Sequence, residues 1–152
     1  MSWRRTGLIF FLTTLIFMSC SVRLGLDNAN RNDFSEFKGM KIAVATNHTS
    51  VDRNGDHIVD LLFAAKDIEL KAIMAPEHGF RGDVERGEDI DKEIDERTGV
   101  PVMSIYGRTR KPTPEMLEDI DVLIFDIQDI GARFYTYIST MFNVMEAGAE
   151  ND

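Results

Sequence analysis

The sequence has very little cysteine. Its 152 residues include one, Cys20, and none follows it. A folded region after that position has no thiol pairs for disulfides, so its stability must come from packing. Long apolar runs are also missing. The longest, residues 7–18, is too short to cross a bilayer as a helix, and with Arg4 and Arg5 before it the segment has the pattern of a secretory signal.

Basic residues are scarce relative to acidic ones. The sequence has 17 Lys and Arg against 26 Asp and Glu, a net charge of −9 that becomes −11 once the residues before Cys20 are removed. Such a chain repels phosphate backbones and anionic headgroups, so we expect neither nucleic acid nor an anionic lipid surface as its main partner. The sequence also lacks a phosphate-binding glycine loop, a nucleophile elbow and a His-Glu-x-x-His helix.

The end of the apolar N-terminal segment resembles a bacterial lipoprotein signal. Ser19 is a small residue directly before Cys20, the position at which such signals are cleaved and the cysteine is lipidated. We therefore expect residues 1–20 to be a signal peptide and the protein to be exported to the periplasm or cell envelope, with membrane contact through the lipid anchor only. Ordinary secretion and an uncleaved anchor are the alternatives. Residues 21–38, polar and rich in Asn and Asp, predict a tether.

Short aliphatic runs alternate with helical patterns from residue 39 onward. We predict strands at 41–46, 70–75, 102–105 and 122–125, and helices at 56–65, with Asp56 as N-cap, 113–118 and 137–150. This alternation is typical of an α/β fold with a parallel sheet flanked by helices and joined by right-handed crossovers. Because so few strands leave an edge bare, we expect the sheet to be truncated before completion.

Polar clusters follow three of the predicted strands. The first contains Asn47 and His48, the second Glu77, His78 and Arg81, and the third Asp126, Gln128, Asp129, Arg133 and Tyr135. The carboxyl ends of neighbouring parallel strands line the ligand crevice of an open α/β sheet. The sequence therefore predicts that these side chains share one site.

Each cluster suggests a chemical role and an alternative. Glu77 is a candidate general acid or base, because partial burial raises the pKa of a carboxyl, and the alternative is a salt bridge to Arg81. Arg133 is a candidate for gripping a substrate carboxylate, and the alternative is an ion pair with Asp129. Tyr135 can stack on a sugar or pack within the protein.

Five ordered motifs together resemble one known family. They are residues 46–49 (Thr-Asn-His-Thr), 76–82 (Pro-Glu-His-Gly-Phe-Arg-Gly), 106–107 (Tyr-Gly), 111–114 (Lys-Pro-Thr-Pro) and 126–137 (Asp-Ile-Gln-Asp-Ile-Gly-Ala-Arg-Phe-Tyr-Thr-Tyr). From about residue 39 to the end, the chain resembles the N-terminal part of the exo-β-N-acetylmuramidase (NamZ-type) family. These bacterial glycoside hydrolases release terminal N-acetylmuramic acid from the non-reducing end of peptidoglycan fragments.

The resemblance implies a Rossmann-like N-terminal domain followed by a second domain, with the site in the cleft between them. Residues 39–152 would then be a partial N-terminal catalytic domain without its C-terminal partner, which we expect to be inactive alone. Glu77 would be the catalytic carboxylate with His78 beside it, muropeptides or disaccharides from peptidoglycan the substrates, and no cofactor would be needed.

Two other function classes remain open from the residues alone. The first is a metal-dependent hydrolase that uses acidic strand ends, with Glu77, His78, Asp126 and Asp129 as the conceivable ligands. Their spacing matches no established ligand pattern, so we expect no metal. The second is a non-catalytic, wall-binding surface lipoprotein.

We predict that Cys20 becomes the lipidated N-terminus of the exported protein. Mass spectrometry of the membrane fraction should find an N-terminal peptide that begins at Cys20 and carries a lipid mass. Cys20→Ser should abolish both the cleavage and the lipid. Recovery of an unmodified Cys20 inside an intact N-terminal peptide would contradict the prediction.

Overall fold

The computed structural model describes residues 22–76, 79–81 and 93–151 and shows one sheet with helices on both faces. The elements, in chain order, are α1 (Gly25–Arg31), a 3₁₀ helix (Ser35–Phe37), β1 (Lys41–Thr46), α2 (Ile58–Ala64), β2 (Glu69–Ala75), β3 (Glu93–Ile94), β4 (Pro101–Ser104), α3 (Pro114–Leu117), β5 (Val122–Asp126) and α4 (Tyr137–Glu150). This confirms the predicted α/β class. Every predicted strand and helix is present, with bounds that differ by at most two residues.

The strand order is β3-β4-β2-β1-β5. β1 pairs in parallel with β2 and with β5, and β2 pairs in parallel with β4. β3 departs from the predicted all-parallel sheet because it runs antiparallel to β4. The cause is the short turn between them, closed by hydrogen bonds from Asp95 N to Val100 O (2.9 Å) and from Gly99 N to Asp95 O (2.7 Å). A connection this short can join only antiparallel strands.

Strand β1, which lies between β2 and β5, is buried on both faces. Its Ile42 and Val44 side chains lie in one core cluster, which also contains Ile58, Val59 and Leu62 of α2. Its Ala43 and Ala45 side chains lie in a second cluster on the opposite face, with Val144 of α4. The alternation along the strand therefore divides the core into two layers.

A bulge in β2 lets both layers form. Ile42 is opposite Leu70 while Ala43 is opposite Ala72, so Lys71 is an extra residue in the ladder. Without the bulge, alternation would place Leu70 and Ile73 on opposite faces. Both lie in the cluster beneath α2. The Lys71 ammonium lies 3.4 Å from carboxylate oxygens of both Glu69 and Asp119.

The N-cap of the helix after β1 is one residue later than the sequence predicts. It is His57 rather than Asp56. The carboxylate of Asp52 explains the difference, because its Oδ1 accepts hydrogen bonds from the backbone N–H groups of Asn54 (2.8 Å) and Asp56 (3.0 Å). Asp56 is thereby held within the preceding turn. The side chain of His57, rather than that of Asp56, accepts the hydrogen bond from a free N–H group of the first helical turn.

The segment predicted as a polar tether is ordered structure from Gly25 to Phe37. The buried carboxylate of Asp27 accepts hydrogen bonds from Leu24 N (3.0 Å) and Arg53 N (2.9 Å), which joins α1 to the turn after β1. Phe34 is 2% exposed and lies in the core cluster beneath α2. Its buried ring fixes the segment against the sheet, a tertiary contact that the polar composition does not reveal.

Some apolar surface of this region is uncovered. Ile138, Phe142 and Met145 of α4 are 57%, 64% and 65% exposed, and their spacing places them on one side of the helix. In the described part of the chain, β5 pairs only with β1, so its outer edge is bare. An apolar stripe beside an open edge is typical of a surface that another element covers.

No helix among the described residues is long and apolar enough to span a membrane.

We predict that Phe34→Ala lowers the free energy of unfolding by about 3–5 kcal/mol, the usual cost of deleting a buried aromatic ring. Phe63→Ala, at a 53% exposed position on α2, is the matched control and should cost much less. Urea unfolding of both variants beside the parent protein measures the difference. If Phe34→Ala were as stable as the parent protein, the residues before β1 would be only a tether.

Candidate active site

The candidate site lies where the chain reverses its direction of travel across the sheet. The path runs outward from β1 to β2 and β4 and then returns to β5, on the other side of β1. Ligands of open α/β sheets bind outside the carboxyl ends of the strands at this switch point. The polar segments that follow β1 and β5, residues 47–50 and 127–129, border it.

Asn47 is the first residue after β1 and is 1% exposed. Its side-chain Oδ1 accepts hydrogen bonds from the backbone N–H of Thr49 (3.0 Å) and from the Thr49 hydroxyl (2.6 Å). Its Nδ2 is buried and has no hydrogen-bond partner among the residues that the structure describes. A buried donor without a partner is rare and costs about 1–3 kcal/mol. Asn47 therefore holds a donor ready for an acceptor.

Hydrogen bonds join the end of β1 to the end of β5. The Gln128 N–H donates to Thr49 Oγ1 at 3.1 Å, and the Ser50 hydroxyl donates to the Asp126 carbonyl. The pairing of Thr46 with Asp126 is the last rung of the ladder between the two strands. The backbone on both sides of the switch point thus forms one hydrogen-bonded unit.

The Asp126 side chain is half-buried. Burial raises the pKa of its carboxyl, and a smaller electrostatic effect of His57 opposes the rise. Among the described residues, no side chain or backbone N–H donates to this carboxylate. A carboxyl with a raised pKa and free oxygens is suited to proton transfer or to binding a sugar hydroxyl.

His57 was not among the residues predicted to form the site. It is 8% exposed, and both of its ring nitrogens contact the backbone. Nδ1 accepts from Val59 N at 3.2 Å, so Nε2 carries the proton and donates to the Asn47 carbonyl at 2.9 Å. Burial lowers the pKa of the imidazole, and Arg81 adds to the effect, so the ring is neutral at pH 7. The only sequence signal was its position before a helix.

Arg81 makes contacts that differ from those of a substrate-binding arginine. Its guanidinium donates to both Asp95 oxygens (2.9 and 3.0 Å) and both Asp60 oxygens (3.0 and 3.3 Å). Its charge also lies 4.7 Å from the Phe80 ring centroid. Four of the five N–H groups of an arginine are thereby used. Arg81 clamps the segment after β2 to α2 and to the β3–β4 turn, and its predicted role in binding substrate has no support in this geometry.

The remaining predicted residues are exposed. Asp129 Oδ1 accepts from Gly131 N at 2.6 Å in a local turn, and the structure places no ion pair between Asp129 and Arg133, both of which are described residues. Tyr135 is 49% exposed, with its ring centroid 6.3 Å from that of Tyr137. His48 and Gln128 are exposed beside the switch point. These side chains are available to a ligand.

Glu77 and His78 lie outside the described residues, as does Cys20. Their flanking residues are described: the Gly79 N–H donates to the Pro76 carbonyl at 3.3 Å, and Gly79 has a φ of +71°. Within the described ranges, His, Cys, Asp and Glu side chains do not form any group of three or more that could hold a metal ion. The conceivable metal set includes Glu77 and His78, so this finding does not apply to it.

The family model described as "Exo-beta-N-acetylmuramidase NamZ, N-terminal" matches residues 42–152. The chain belongs to the NamZ family. It is 49% identical over 130 residues to the Bacillus subtilis (strain 168) protein called peptidoglycan beta-N-acetylmuramidase NamZ, covering 86% of this chain and 31% of that protein.

Two solved structures also resemble this NamZ-family region. Both are DUF1343 family proteins from Bacteroides fragilis NCTC 9343. The first has 48% identity and a TM-score of 0.77 over 85% of this chain and 32% of its own. The second has 38% identity and a TM-score of 0.68 over 86% of this chain and 32% of its own. The chain therefore spans about a third of the length of these relatives.

We predict that Asp95→Asn lowers the free energy of unfolding by about 2 kcal/mol at neutral pH. The Arg81 clamp and Thr98 hold the pKa of the buried Asp95 carboxyl at about 2, against burial, which acts in the opposite direction. Since its pKa is lower folded than unfolded, the ionised carboxylate stabilises the fold above about pH 4, and this stabilisation is lost as the pH falls towards 2. The difference between variant and parent should shrink over that range.

Urea unfolding at pH 7 and at pH 3 measures this dependence. Asp56→Asn removes a carboxylate from an exposed position and is the matched control. A destabilisation by Asp95→Asn that is equal at both pH values would show that the ion pair with Arg81 does not cause it.

Proposed function

We propose that the full-length protein is an exo-acting glycosidase that releases terminal N-acetylmuramic acid from the non-reducing end of peptidoglycan fragments, in cell-wall turnover. The observation that carries the proposal is the 49% identity to a protein named for this activity, over a region that includes the whole switch point. The substrates would be muropeptides or disaccharides, and the reaction would need no cofactor.

Glu77 is the proposed proton-transfer group. It follows β2 by two positions in the sequence, and β2 lies beside β1 in the sheet. A carboxyl at this edge can protonate the leaving oxygen or activate a water molecule. His78 is proposed to assist it from the adjacent position in the chain.

The described residues supply the proposed sugar-binding contacts. Within the described part of the chain, the buried Nδ2 of Asn47 is a donor without a partner, and the Asp126 carboxylate is an acceptor without one. The proposal also includes the exposed side chains that follow β1 and β5 in the sequence, which are His48, Gln128, Asp129, Arg133 and Tyr135. Arg133 can pair with the carboxylate of a muramic acid, and Tyr135 can stack on the ring.

The identity of the second catalytic group has more than one candidate. Asp126 has the raised pKa that a general acid needs, whereas Asp129 is exposed and bonded within its own turn. The acetamido group of the substrate and a residue beyond this region are the other candidates. In retaining enzymes the two carboxyl groups are about 5–5.5 Å apart, and in inverting enzymes about 6.5–9.5 Å.

The protein is also proposed to act outside the cytoplasm as a lipoprotein anchored through Cys20, where peptidoglycan fragments are present. This part of the proposal rests on the sequence of the N-terminal segment alone. It is independent of the glycosidase proposal, since a secreted form would meet the same substrates.

The decisive experiment is to assay the full-length gene product with a chromogenic N-acetylmuramide and to repeat the assay with Glu77→Gln. Gln keeps the shape of the side chain but cannot ionise, so kcat should fall by about 10²–10⁴-fold with a modest change in KM. Glu93→Gln, at an exposed position of β3, is the matched control and should keep normal turnover.

Each alternative gives a different result. Unchanged kcat in Glu77→Gln with a lower melting temperature would make Glu77 a structural residue. A stoichiometric metal that is lost together with activity on chelation would identify a metal-dependent hydrolase. Binding of muropeptides without any sugar release would identify a wall-binding protein.

A further inference from the structure

We propose that His57 is a positioning residue that holds the substrate-binding turn after β1 in register with the end of β5. The inference rests on the proposed function, because the residues it positions are the proposed sugar-binding ones. His57 acts through Asn47 and touches neither substrate nor the reacting atoms. Its two ring nitrogens serve two separate purposes, and this separation makes its role testable.

A continuous line of hydrogen bonds runs from His57 to β5. The Nε2–H group donates to the Asn47 carbonyl at 2.9 Å. The Asn47 side chain accepts from the Thr49 hydroxyl at 2.6 Å, and the Thr49 oxygen accepts from Gln128 N at 3.1 Å. Displacement of the Asn47 backbone therefore changes the position of Gln128, which is 79 residues further along the chain than Thr49.

The imidazole itself is firmly held. It is 8% exposed, and the Phe80 ring lies edge-on to it with 5.8 Å between ring centroids. The next two residues, Ile58 and Val59, are core residues of α2. A side chain at the buried end of a helix has little freedom to move, so it is well suited to hold a polar turn. Such supporting contacts keep binding groups within a fraction of an ångström of their productive positions.

The orphan Nδ2 of Asn47 supports this role. His57 holds the carbonyl of Asn47, and Thr49 occupies its Oδ1. Nδ2 is the polar atom of that side chain that stays unpaired in the buried site. The fixed contacts thus hold the amide in one orientation, which is the arrangement of a preorganised donor.

A purely structural role for His57 is the alternative. Its Nδ1 accepts from Val59 N at 3.2 Å and caps α2, and capping alone would justify the residue. Asn in this place retains the capping acceptor but is too short to reach the Asn47 carbonyl. Gln places its amide nitrogen near the position of Nε2 but loses the cap. The two substitutions separate the two nitrogens.

The test measures melting temperature, kcat and KM for His57→Asn, His57→Gln and the control Asp56→Asn in the full-length protein. We expect His57→Asn to keep the cap but lose the buried hydrogen bond to Asn47, so that it lowers the melting temperature about as much as His57→Gln does and lowers kcat/KM about 10–100-fold, mainly through KM. His57→Gln should lower the melting temperature by about 2–5 °C and keep kcat/KM within about threefold.

A second measurement does not depend on activity. Hydrogen–deuterium exchange of the peptide that contains Gln128 should be faster in His57→Asn than in the parent and unchanged in His57→Gln, because only the first releases the turn that holds the Gln128 amide. If the parent protein releases no sugar from the chromogenic substrate, the proposed function fails, and this exchange measurement still decides the positioning role.

Three results would overturn the inference. One is normal kcat/KM and normal exchange at Gln128 in His57→Asn. Another is an equal loss of activity in both variants that follows their melting temperatures, which would reduce His57 to a helix cap. The last is failure of His57→Asn to fold, because the cap and the positioning contact would then not be separable in the way proposed.

Discussion

The burial of β1 on both faces is the constraint on which the rest of this structure depends. A strand between two core layers must be apolar between its two ends, so the polar side chains of β1 and of the segment after it come only where the ladder begins or ends. At the carboxyl end these are Thr46 and Asn47, both almost fully buried. Because β2 and β5 flank β1 in parallel, the carboxyl ends of all three strands lie at the same edge of the sheet. The site follows from the packing of the sheet.

Much of the fold could be predicted because it rests on local patterns. Aliphatic runs marked the four main strands, and the helix Tyr137–Glu150 matches its prediction at both ends. The misses have different physical causes. α1 is polar and is held by contacts of Asp27 and Phe34 with the rest of the fold, and β3 has two exposed residues with no pattern of their own.

The site was predictable in position but less so in the role of each side chain. Alternation and strand ends identified Asn47 and Asp126. These patterns could not show that Arg81 is a structural residue rather than a substrate-binding one. Its partners Asp60 and Asp95 lie on α2 and in the β3–β4 turn. The sequence position of His57 suggests only a helix cap. Its hydrogen bond to the Asn47 carbonyl has no sequence signal, so its place in the site was missed. Contacts between segments far apart in the chain decide such roles.

The parallel pairing of β1 with β5 has a consequence for the order in which the molecule folds. Ser50 and Asp126, which bond across the switch point, are 76 residues apart in the sequence, whereas β1, α2 and β2 are close neighbours along the chain. Closing the longer loop costs more entropy and is slower, so we expect β1–α2–β2 to form before β5 docks. The two sides of the candidate site would therefore come together only when β5 docks.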